Sequence, residues 1–136
     1  MLKRFGISLE EELLKKFDKL IAVEGYTNRS EAIRDMIRAT LVRKEWNEGN
    51  KETAGVVTLV YDHHQFELAQ KMTDIQHKDF EIVISSLHIH VDKKNCLEVI
   101  LLKGKSREIK RVADTLISTK GVKHGRFIFT TTGKDL

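Results

Sequence analysis

The sequence predicts an α+β protein in two parts, and three observations carry that prediction. Residues 4–46 read as one strand followed by two amphipathic helices. Residues 47–55 (NEGNKETAG) are polar, carry two glycines and show no periodicity. From residue 56 to 136, β-branched strands alternate with helical spacing in the order β-α-β-β-α-β. The implied division is a β-α-α unit at 1–46, a connector at 47–55 and a second domain at 56–136.

Taken in order, RFGISL (4–9) alternates Arg4, Gly6 and Ser8 with Phe5, Ile7 and Leu9, the period of a strand with one buried face. EEELLKKFDKLIAVEG puts Leu13, Leu14, Phe17, Leu20 and Ile21 on one helical stripe, begins acidic and stops at Gly25. NRSEAIRDMIRATLVRKEW opens with Asn28 three residues before Glu31, as a capped helix does, and runs its apolar stripe through Ala32, Ile33, Met36, Ile37 and Leu41. Beyond the connector, GVVTLVY predicts a strand, HQFELAQKMTDIQ a helix, FEIVISSLHIHV a long strand and, after the turn DKKN, CLEVILLKG another. SREIKRVADTLIST is helical by spacing and VKHGRFIFTTT closes as a strand. This order is that of the ferredoxin-like split motif, a four-stranded antiparallel sheet with both helices on one face.

Composition narrows the function. No apolar run approaches the roughly 20 residues needed to span a bilayer, and the acidic start leaves no signal-peptide core, so a soluble, cytoplasmic protein is expected. One cysteine cannot build a disulfide framework; Cys96 is a buried small hydrophobe, a reactive thiol or a metal ligand. The net charge is +4, but residues 103–126 alone net +6, so the rest of the chain nets −2. A nucleic-acid role for the N-terminal part must therefore rest on pattern.

His88 and His90 lie two apart on a strand and so share a face. Cys96 joins that face if a five-residue turn pairs 90 with 96, and leaves it if a four-residue turn pairs 91 with 96. Two imidazoles and a thiolate suit Zn(II), Ni(II) or Cu(II) and poorly suit magnesium or calcium. The opposing reading has two exposed strand histidines and a packed thiol. A fourth donor is required from among His63, His64, His77 and His124. If His88 and His90 face away from the helices, His77 of the same chain would struggle to reach them, and another subunit could supply it. At the other end, two copies pairing their strands would form a ribbon that fits a DNA major groove, with Arg4, Gly6 and Ser8 outward. The helix N-terminus at Asn28 suits a phosphate.

Four segments, GYTNRSEAIRD (25–35), DIQHKDFE (74–81), SSLHIHVDKKNCLEV (85–99) and KGVKHG (120–125), together resemble the NikR family of nickel-responsive transcriptional repressors, with family-like spacing across both domains. The resemblance implies a ribbon-helix-helix DNA-binding domain, an ACT-like C-terminal domain and a homotetramer built as a dimer of dimers. It also implies one Ni(II) per subunit, held in a plane by His88, His90 and Cys96 of one chain and His77 of a neighbour, with Tyr61, Gln76 and Glu98 orienting these ligands. Double-stranded operator DNA would be read by Arg4, Gly6 and Ser8, with Asn28 and Arg34 at phosphates, and Glu31 and Asp35 match an alkali-ion site. Gly6 departs from the pattern, since the family generally carries a hydroxyl residue there. Two rivals to a nickel-dependent repressor of nickel-uptake genes stand beside this reading. One is a ribbon-helix-helix repressor or antitoxin whose second domain senses an amino acid or binds a partner protein. The other, a metal hydrolase using His63 and His64, is weakened because four protein donors leave no open position for water.

Overall fold

The computed structural model describes all 136 residues, in two compact units, Met1–Thr40 and Leu41–Leu136. In the first, α1 (Glu11–Val23) and the larger part of α2 (Arg29–Asn47), whose end belongs to the second, follow an extended segment. Gly25 ends the approach to the turn between them at φ 88°, a left-handed conformation that costs other residues a clash at Cβ. Asn28 caps α2, its Oδ1 accepting from the Glu31 N–H at 2.9 Å. Asp18 and Arg29 join the two helices through a forked pair, both contacts 2.9 Å.

The predicted strand at 4–9 lies in no sheet within the single chain. Its alternation is nonetheless expressed. Ile7 and Leu9 line an apolar groove with Phe17, Ile33, Met36 and Ile37, while Arg4, Gly6 and Ser8 are exposed. A lone strand has no ladder to join, so the backbone groups of this segment are open to solvent.

The second unit contains β1 (Glu52–Asp62), α3 (Phe66–Lys78), β2 (Val83–His90), β3 (Asn95–Lys105), α4 (Ser106–Ile117) and β4 (Val122–Thr130). The sheet order is β2-β3-β1-β4, every neighbouring pair antiparallel. That is the split motif the sequence predicts. The predicted connector is shorter than expected, because α2 continues to Asn47 and β1 begins at Glu52.

Alternation decides which face is covered. Val57, Leu59 and Tyr61 on β1 and Cys96, Ile100 and Leu102 on β3 are buried with Leu68 and Met72 of α3 and Ile109, Val112, Ala113 and Leu116 of α4. Both helices therefore lie on one face. Gly55 permits a close approach on that face, since a Cβ there would stand 2.6 Å from the Phe127 ring. Residues of opposite parity, among them Leu87, Ile89, Leu101 and Ile128, face away from the helices and are exposed.

Candidate metal centre

The site is assembled by the β2–β3 hairpin. Five residues connect His90 to Cys96, and these two are register partners, with His88 opposite Glu98. Asp92 fixes the turn: its carboxylate accepts from the N–H groups of Asn95 at 2.7 Å and Lys94 at 2.8 Å, which hold its pKa down to about 2. Of the two turn lengths open to the sequence, the one that puts thiol and imidazoles on a single face is the one formed.

That face is the helix-covered one, since Cys96 and Glu98 are buried in the core. The premise that His88 and His90 face away from the helices is therefore corrected. They remain exposed because β2 is an edge strand and the helices do not extend over it. His77 of the same chain is not gathered with them into a ligating cluster. On α3, Met72 is buried and Gln76 half-buried, and the next residue, His77, turns outward to solvent. Within the chain, no three His, Cys, Asp or Glu side chains converge closely enough to hold an ion.

Around the histidines is a hydrogen-bonded frame. Glu98, 6% exposed, accepts from the Tyr61 hydroxyl at 3.1 Å on one oxygen and from Gln76 Nε2 at 3.0 Å on the other. A buried carboxylate without such donors would be costly. The Tyr61 ring meets His88 edge-on, with centroids 6.0 Å apart, and burial, with Glu98 second, pushes its hydroxyl pKa up. Cys96 Sγ donates to the Tyr61 carbonyl at 3.5 Å, and burial pushes its thiol pKa up. Tyr61, Gln76 and Glu98 are thus brought together, and they touch the elements that carry His88 and Cys96.

One neighbour had little signal in the sequence beyond the His63-His64 doublet. The His63 ring stacks on His90, centroids 4.3 Å apart and planes 5° apart, and His63 Nε2 is buried with no hydrogen-bond partner. His64 lies beside it but is turned to Asp62, which accepts from the His64 N–H at 2.9 Å. His124 lies on β4, opposite Val60 of β1, away from the β2 edge. In donor type, the imidazoles and thiol at this edge fit a late first-row ion.

The candidates for DNA contact belong to the first unit. Arg4, Gly6, Ser8 and Arg34 are exposed, and nothing stands within 4 Å of a Cβ built at Gly6. Asn28 uses Oδ1 for its cap. Asp35 accepts from the Tyr26 hydroxyl at 2.7 Å, while Glu31 is exposed, so only one of the two carboxylates matched to an alkali ion is free of a tyrosine. No helix is long and apolar enough to cross a membrane.

Comparison with known proteins fits this division. Residues 3–44 match the ribbon-helix-helix proteins of the copG family, and residues 54–130 match the NikR C terminal nickel binding domain. A protein of Geobacter sulfurreducens is 57% identical over 133 residues, covering 98% of this chain and 96% of its own. Proteins of Thermococcus kodakarensis and Pyrococcus furiosus are each 53% identical with the same coverage. All three are provisionally named nickel-responsive regulators. The solved structure of an uncharacterized protein from Thermotoga maritima, 13% identical, superposes on 60% of this chain and all of its own with a TM-score of 0.52, a likeness of fold alone. With a ribbon-helix-helix unit, a split-motif domain that gathers histidines and a cysteine on one hairpin, and near-full-length relatives at this identity, the chain belongs to the NikR family of nickel-responsive transcriptional regulators.

Proposed function

We propose that this chain is a nickel-dependent transcriptional repressor that binds operator DNA when Ni(II) occupies a site shared between subunits. The observation that carries the reading is the hairpin register, which pairs His90 with Cys96 and sets His88 two residues along the same face. His88, His90 and Cys96 of one chain and His77 of a neighbour would hold one Ni(II) per subunit in a homotetramer. The exposure of His77, which leaves its imidazole open to another copy, supports a shared site. Nickel when bound supplies coordination only. The chain's own residues do the rest: the Cys96 thiol gives up its proton on binding, and Glu98, Tyr61 and Gln76 keep the β2–β3 edge in one geometry.

Paired N-terminal segments would enter the major groove with Arg4, Gly6 and Ser8 outward, and Asn28 and Arg34 would meet phosphates. Gly6 offers no side chain to a base, so Arg4 and Ser8 carry the direct reading. Differential affinity of the two domain arrangements for nickel shifts the population towards placements that suit two half-sites. The genes controlled would be those for nickel uptake, in the cytoplasm.

The test is a Ni(II) titration followed by absorption, with Cys96→Ser as control, beside operator binding before and after chelation. A thiolate-to-nickel band lost in the variant, with DNA binding that requires nickel and weakens steeply with salt, is the expected result. Equal DNA binding after thorough chelation overturns it. Should the His88→Ala, His90→Ala double variant keep its response to an effector, the amino-acid-sensing or partner-binding repressor takes its place.

A further inference from the structure

The sequence predicts a loose polar connector after the second helix, and the structure fastens it. Trp46, the only tryptophan in the chain, sits in the last turn of α2. It stacks on Phe129 with centroids 5.1 Å apart and planes 13° apart, and meets Phe127 at 5.2 Å. Its carbonyl accepts from the Ser106 hydroxyl at 2.7 Å. The following residues are bound to the start of α4: the Arg107 N–H donates to the Gly49 carbonyl at 3.2 Å, and the Ser106 N–H to the Lys51 carbonyl at 3.3 Å. The first N–H groups of a helix have no partner of their own, and here the connector supplies them. A swing about 48–51 would break both bonds and unstack the indole. Consistently, the second compact unit begins at Leu41, inside α2, and not after it.

We infer that Trp46 is a positioning residue that makes the end of α2 part of the nickel-binding domain, so that any pivot between the two domains lies within α2 ahead of Trp46 and not in the glycine-containing connector. Resting on the reading of nickel-dependent DNA binding, the inference adds that this clamp transmits the metal-bound state to the DNA-binding unit.

Trp46→Ala and Trp46→Phe in the full-length chain test both statements. Hydrogen exchange reads the clamp without nickel or DNA: amides of residues 41–51 and 106–107 should exchange at least about ten-fold faster in Trp46→Ala, with β1 and β3 unchanged, and Trp46→Phe should recover most of the protection. The thiolate-to-nickel band should persist in both variants. The nickel-induced gain in operator affinity should fall at least about ten-fold in Trp46→Ala and return in Trp46→Phe, within the usual range of coupling between sites. Unchanged exchange in Trp46→Ala overturns the clamp, and an unchanged nickel-induced gain overturns its role in transmission. A wild-type chain whose DNA binding ignores nickel defeats the proposed function together with transmission, while the exchange result still judges the clamp.

Discussion

Glu98 is the residue on which the histidine edge depends most. Its two oxygens are each taken by one donor, Tyr61 and Gln76, drawn from β1 and α3. Glu98→Ala strands a buried hydroxyl and a half-buried amide, each deprived of its partner, and should lower stability by about 1–3 kcal/mol in urea denaturation. Nickel affinity, read by competition with a chelator, should fall about 10–100-fold because the elements carrying His88 and Cys96 lose their common anchor. A second residue-scale effect belongs to the first unit. The Arg29 guanidinium beside Asp18 holds its carboxyl below the ordinary carboxylate range. A depressed folded-state pKa gives stability that is present above the unfolded value and lost as pH falls through the folded one. Asp18→Asn should thus destabilise the chain modestly at pH 7, and the gap between variant and wild type should close on acidification below about pH 4. Thermal melts at pH 7 and pH 3 check it, and an equal gap at both values counts against the pair.

Legibility in the sequence differs by element, for physical reasons. Strands of the second domain announced themselves through β-branched residues, and each observed strand lies within a few residues of its predicted run. His88, His90 and Cys96 were legible because strand parity and turn length are properties of sequence spacing. The facing of His77 was not, since helix rotation about its axis is set by packing of Met72 and Ile75 against the sheet. Nor was the clamp at Trp46, whose partners Phe127 and Phe129 lie some eighty residues away. The strand at 4–9 was read from its alternation, yet its ladder cannot form in one chain. Gly55 shows how tightly one element governs another. Gly55→Val would drive its side chain into Phe127, the ring that also meets Trp46. The expected cost is about 1–3 kcal/mol from overpacking, with loss of protection at residues 41–51 read by hydrogen exchange.

At the scale of the whole molecule, the uncovered face of the sheet is the feature that a single chain leaves unexplained. Leu87, Ile89, Leu101 and Ile128 are 58%, 45%, 43% and 56% exposed, and register brings them together with Val56, Leu97 and Val99 on that side. A contiguous apolar surface of this kind marks an interaction site. On the proposed shared site a second chain completes the histidine edge, and an apolar face beside that edge supplies a reason for one to stay. Leu101→Glu tests the two together. The side chain is exposed in the single chain, so circular dichroism should be unchanged, whereas a carboxylate pressed into an apolar interface should reduce the proposed tetramer to a dimer in sedimentation. On the proposed site the thiolate-to-nickel band should weaken in parallel, because His77 of the neighbouring subunit would be withdrawn while His88, His90 and Cys96 are untouched. A tetramer of normal size would show that this face is not where the copies meet. A smaller assembly that still gives the full band would show that each chain completes its own site.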